Sequence, residues 1–253
     1  MSKKTFCIDN IENIPSDIIN MICSEKSEFH SWFHDDSGTH YIKSDHSIIY
    51  RNEKAAEIFE LLRNYLSTCI IRAYHATRII DDQEIIQDGL HPFELNSYTE
   101  RIVGVLVGQG ISIETGQLIS KKIRGFVEWQ GRENGYLSLF NSYRFYEDGY
   151  DQFTQNYGGE TVRFAIADDH PEVFSLLCEI GIPVIVFCLV NWDDIVPIYQ
   201  ESYIQTVISA VLSKNILNID DIEESEIRVN GKIAPSFIES ITRVPTDSIK
   251  AEL

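Results

Sequence analysis

Cys69-Ile70-Ile71-Arg72-Ala73-Tyr74-His75-Ala76-Thr77-Arg78 is the stretch on which the fold turns. Its first part, residues 69–74, is rich in β-branched and aromatic side chains and predicts a short strand. Asp81 or Asp82 then caps a helix that Gly89 stops just before Leu90. A strand end holds His75 rigidly, and a neutral imidazole offers one donor and one acceptor to a sugar hydroxyl. The competing reading is a core histidine whose ring is satisfied by backbone.

Toward the C-terminus the pattern alternates between helix and strand. Ser97, Tyr98, Thr99 and Glu100 have capping-box spacing and predict a helix through Ile102, Val105 and Leu106, broken at Gly108 or Gly110, with a second helix to Ile123. Residues 136–140 alternate as a strand, and residues 148–157 read as a helix closed by Gly158 and Gly159 before a strand at 161–166. Asp169 and Pro171 open a helix that Gly181 ends, and residues 183–190 form an apolar run that predicts a buried central strand. A helix at 203–212 and short strands at 227–229 and 240–244 complete the order. Toward the N-terminus, Ser16 and Asn52 each cap an amphipathic helix, with a polar, histidine-rich loop between them. The expected class is α+β: a helical N-terminal extension over residues 1–66 and a catalytic domain over 67–253.

Composition narrows the functional classes. With 253 residues, 43% of them hydrophobic and 24% charged, the chain can bury a core without disulfides or metals. Five cysteines without a C-x-x-C pair read as buried thiols in a reducing compartment, and no apolar signal segment or membrane-length run is present, so the expected location is cytoplasmic, with no membrane partner. A formal charge of −18 disfavours coating a nucleic acid or an anionic lipid surface. The dense basic patch Lys121, Lys122 and Arg124 reads either as an anion site or as a solvated helix face. His30 and His34 have i, i+4 spacing, but no Glu follows His30 and no cysteine is near, so no metal is expected. Dinucleotide-fold, phosphate-loop and nucleophile-elbow glycine motifs are all missing from the sequence.

The segment from Tyr74 to Arg78, with Gly89 and Leu90 closing the next helix, resembles the first NAD-binding motif of the ADP-ribosyltransferase superfamily. The end of the chain is similar to that family's closing pattern: Glu224, Ser225 and Glu226 lead into a strand, followed by Gly231, Ile233, Pro235 and Ile238. Tyr157, Gly158, Gly159 and Glu160 resemble a Trp-Gly-Gly-Glu block found in a group of bacterial proteins of unassigned activity that share the Tyr-His-x-Thr-Arg segment. The resemblance implies a split β-sandwich of two packed sheets with flanking helices. It also implies NAD as substrate, held by His75 and Thr77 with Tyr74, Arg78 and Ser138 nearby, and Tyr136 stacked on nicotinamide.

Glu226 matches the catalytic glutamate, Glu224 the upstream acid that orients an acceptor, and Glu160 competes with Glu226 for the catalytic place. An ionised carboxylate beside the ribose stabilises the oxocarbenium character that develops as nicotinamide leaves. The implied activity is transfer of ADP-ribose to a macromolecule, protein or nucleic acid, as a toxin or phage-defence effector, with a neutralising antitoxin as a possible partner protein. Two alternatives stand beside it: hydrolysis of NAD on the same fold, and a silent module whose acidic surface holds a basic partner.

Overall fold

The computed structural model describes residues 3–27, 29, 53–131, 134–144, 153–218 and 225–244. The chain divides into two compact units, and its path crosses between them several times. One unit comprises Met1–Ala73, Leu139–Arg144 and Leu189–Val229; the other comprises Tyr74–Ser138, Phe145–Cys188 and Asn230–Leu253. The N-terminal residues share their unit with two later segments.

In the first unit, strand β1 (Lys4–Phe6) lies parallel to the start of β2 (Cys69–Ile79), with Phe6 opposite Ile71. Helices α1 (Ser16–Ser24) and α2 (Glu53–Ser67) pack with α8 (Pro197–Leu212). Every residue of α8 from Tyr203 to Leu212 is buried, as expected of a helix apolar on nearly all sides. Phe6 meets Tyr65 and Tyr203 edge-on, with ring centroids 6.1 and 6.3 Å apart. Each fully buried side chain here, such as Ile22, Leu62 and Val207, contributes roughly 1.5–3 kcal/mol by leaving water. Ser16 is the first residue of α1 rather than its cap, and Pro15 holds the cap position. Asn52, the expected cap of α2, lies outside the described residues.

The second unit is built on helices α4 (Leu95–Gly108), α5 (Ile113–Gln130), α6 (Gly159–Ile166) and α7 (Pro171–Glu179). Their inward faces form one apolar cluster that includes Ile102, Leu106, Ile119, Ile123, Val162 and Leu177. Two expectations change here. Residues 161–166, read as a strand, are helical in α6, because Val162 and Ile166, one turn apart, both point into this cluster. The pair of glycines opens that helix instead of closing one. Gly158 has φ 90°, and a Cβ there would sit 2.4 Å from Val162 Cγ2 and 2.8 Å from Ile102 Cδ1, so a side chain at this position is strained and displaces both neighbours. The helix α4 starts two residues before Ser97, at Leu95, whose N–H is capped from far along the chain by Asn134 Oδ1 at 3.0 Å.

Helix α3 (Asp82–Asp88) follows the expected design: the Asp81 carboxylate accepts from the Gln83 N–H at 2.9 Å, and Gly89 ends the helix at φ 75°. At Gly89 the backbone comes so close to Ile233 that a Cβ would meet its carbonyl oxygen at 2.0 Å. Leu90 and Ile233 exchange backbone hydrogen bonds beside it, at 3.0 and 2.9 Å.

The described strands, with β3 (Tyr136–Phe140), β4 (Ile182–Asn191), β5 (Glu226–Asn230) and β6 (Ile238–Arg243), join one six-stranded sheet in the order β5-β3-β2-β4-β6, with β1 beside β2. β4 and β6 are antiparallel, with a register irregularity at Phe187 and Cys188. The mixed α and β class holds, and the strands among the described residues lie in this one sheet. β4 is an interior strand, flanked by β2 and β6, and its apolar run is buried from Pro183 to Val186.

Candidate functional site

β2 is longer than its sequence suggests, running eleven residues to Ile79, so His75 sits within the strand rather than at its end. Side chains alternate along a strand, which places His75 and Thr77 on one face and Tyr74, Ala76 and Arg78 on the other. Burial follows the same division: His75 and Thr77 are half-buried, while Tyr74, Ala76 and Arg78 are buried. The five residues read together in the sequence thus split into two groups with different surroundings.

Tyr74 packs edge-on against Phe187, with ring centroids 5.1 Å apart. Arg78 is 8% exposed and spends its guanidinium on backbone. Its Nε donates to the Ile180 carbonyl at 2.8 Å, Nη2 to the Gly181 carbonyl at 2.9 Å, and Nη1 to the Thr154 and Gln155 carbonyls at 3.0 and 3.3 Å. A planar, always-charged fork suits this task, because it satisfies several buried acceptors at once. Arg78 therefore works as a clamp that ties β2 to the segments around residues 154 and 180.

On the half-buried face the His75 Nδ1 lies 3.0 Å from the Ser138 carbonyl oxygen. A carbonyl only accepts, so Nδ1 carries the proton and donates it, which makes Nε2 of the neutral ring an acceptor. Ser138 takes part through its backbone in this bond. Tyr136 and Ser138 are half-buried and alternate along β3 with the buried Leu137 and Leu139.

Glu226 belongs to the first unit and opens β5. Its Oε1 accepts from Arg228 Nε at 2.9 Å, and the two side chains are 38% and 36% exposed. The Arg228 guanidinium in turn lies over the Tyr199 ring, 5.1 Å from its centre. Just before Glu226, Ser225 and Asn141 are joined twice: Ser225 N–H donates to Asn141 Oδ1 at 3.1 Å, and Asn141 N–H donates to the Ser225 carbonyl at 3.2 Å. Ser202 and Ser225 hydroxyls are 3.1 Å apart. This buried seam fixes the start of β5 and so the place of the glutamate. Arg228 was missed in the sequence, although its i, i+2 spacing from Glu226 on a strand was the available signal.

Glu224 lies outside the described residues, as do the histidines at 30, 34, 40 and 46. Glu160 stands in the first turn of α6 and borders a shallow crease with Phe126 and Phe164. No group of three His, Cys, Asp or Glu side chains among the described residues is arranged to hold a metal. In the basic patch on α5, Lys122 pairs with Asp169 and Arg124 donates to Asn96 Oδ1 and Thr99 Oγ1, each at 2.7 Å, while Lys121 is exposed. An open groove of about 720 Å³ is lined by Ile80, Gly104, Gln109 and Glu179 among others, and by none of the residues singled out for chemistry. No helix among the described residues is long and apolar enough to cross a membrane. No protein-family model, curated protein or solved structure matches this chain.

Proposed function

We propose that the chain cleaves the bond between nicotinamide and ribose in NAD and transfers the ADP-ribose to a macromolecular acceptor. The observation that carries this reading is the hydrogen bond from His75 Nδ1 to the Ser138 carbonyl at 3.0 Å. It sets the ring so that Nε2 accepts, which is what a ribose hydroxyl donor requires. Thr77, on the same face of β2, supports the nicotinamide side, and the Tyr136 ring offers a flat surface for the pyridinium.

Glu226 supplies the negative charge for the cationic ribose. Arg228 Nε donates to one carboxylate oxygen at 2.9 Å, and the other oxygen serves the reacting sugar.

Purified protein is mixed with NAD labelled in its adenylate moiety, with and without cell extract, and free nicotinamide is measured. The expected outcome is nicotinamide release with label on a macromolecule, reduced by about 100-fold in Glu226→Gln. Free ADP-ribose formed without extract selects hydrolysis instead. Unchanged background release in both the wild-type protein and Glu226→Gln would overturn both.

A further inference from the structure

Away from these residues, the C-terminal part of α5 and the helix α6 leave three aromatic rings at the surface. Trp129 is 78% exposed and Phe164 57% exposed. Phe126 joins them: its ring stacks with Phe164 at 28° and 6.1 Å and leans toward Trp129 at 5.9 Å. Glu160, one helical turn before Phe164, borders the crease between Phe126 and Phe164. Among the described residues its carboxylate takes part in no hydrogen bond or ion pair. Nothing in the chemistry proposed above uses this face.

We infer that this face is a docking site for an arginine-bearing basic polypeptide, with a guanidinium held between the rings and Glu160. Aromatic faces attract cations, and arginine most readily because its planar group also stacks. A carboxylate at the rim supplies the matching charge. Of the cations on these two helices, Arg163 donates to Gln155 Oε1 at 3.1 Å, Arg124 donates to Asn96 and Thr99, Lys122 pairs with Asp169, and Lys121 is exposed nearer the start of α5. The exposed Glu128 beside Trp129 adds a second negative charge, and the formal charge of −18 steers a basic partner toward the protein. The same charge repels phosphate backbones. A symmetric contact with a second copy would set like acids near one another.

The test titrates the intact protein with a short peptide alternating glycine and arginine, at about 0.15 M salt, reading heat and tryptophan fluorescence. Trp129→Ala, Phe164→Ala and Glu160→Gln should each weaken binding about tenfold while circular dichroism stays unchanged. Asp88→Asn, which removes an exposed charge on α3, should leave it unaltered. Glu160→Lys should instead confer binding of a glycine-glutamate peptide. Four results overturn the inference: no binding of the arginine peptide, equal losses in Asp88→Asn and Glu160→Gln, Trp129-dependent binding of oligothymidylate, or Trp129-dependent self-association in sedimentation.

Discussion

His75 donates from Nδ1 to the backbone carbonyl of Ser138 across 3.0 Å, so the tautomer of its imidazole is fixed by the neighbouring strand. Backbone is a dependable partner for this purpose, since no substitution at position 138 short of a backbone rearrangement removes the acceptor. In His75→Ala we predict a stability loss of about 1 kcal/mol, the usual worth of one hydrogen bond, and a fall of about 100-fold in kcat/KM for nicotinamide release. Urea unfolding together with NAD turnover separates the two. A loss of activity that merely tracks unfolding would assign His75 to the core.

Arg78 makes a stability prediction of a different size. Four backbone carbonyls depend on its guanidinium, so Arg78→Met should destabilise by about 3 kcal/mol or more through unsatisfied buried acceptors. Arg78→Lys should recover little, because an ammonium cannot address acceptors spread around a planar fork. Denaturant midpoints of the two variants check this. Near-wild-type stability in Arg78→Lys would show that charge rather than fork geometry matters.

Two glycines should answer an alanine substitution in opposite directions. At Gly89, with φ 75° and the Ile233 carbonyl 2.0 Å from where a Cβ would stand, Gly89→Ala should cost at least about 2 kcal/mol. Gly125 lies within α5, and nothing comes within 4 Å of a Cβ there, so Gly125→Ala should stabilise by about 0.5–1 kcal/mol. Paired thermal melts test the contrast. Melting shifts of the same sign in both variants would contradict it.

Alkaline pH should weaken the fold. Burial, helped by Glu239, pushes the Cys188 thiol up to about 12, and burial with Cys69 nearby pushes Tyr65 up to about 12. Between the unfolded and folded values the native state binds more protons than the unfolded chain, so stability falls as pH rises. For Cys188 the window opens near the thiol's ordinary value of 9.0 and closes near 12. One such group gives a slope of at most about 1.4 kcal/mol per pH unit. Urea unfolding across that range should show the decline, with a shallower slope in Cys188→Ala. Equal slopes in the two proteins would remove Cys188 as a cause.

Local pattern was enough for much of the architecture. The helices α1, α2, α3, α5 and α7 and the strands β3 and β5 announce themselves through periodicity, helix stops such as Gly89, and the Pro171 start, because these signals act within a few residues. The alternation that brings Glu226 to the front of β5 was legible for the same reason. Residues 161–166 were misread because a short apolar run fits either strand or helix until its neighbours are known.

The tertiary structure decided the rest, through bonds that span the chain. Whether Arg78 meets a ligand or the backbone depends on Ile180, 102 residues away, and whether His75 donates or accepts at Nδ1 depends on Ser138, 63 residues away. The start of α4 was set by Asn134, and the place of Glu226 by the seam between Ser225 and Asn141. A sequence window records each residue's own preference for helix, strand or turn. Which polar partner completes a buried side chain is settled only when distant segments pack, since every buried donor and acceptor must then be satisfied at once.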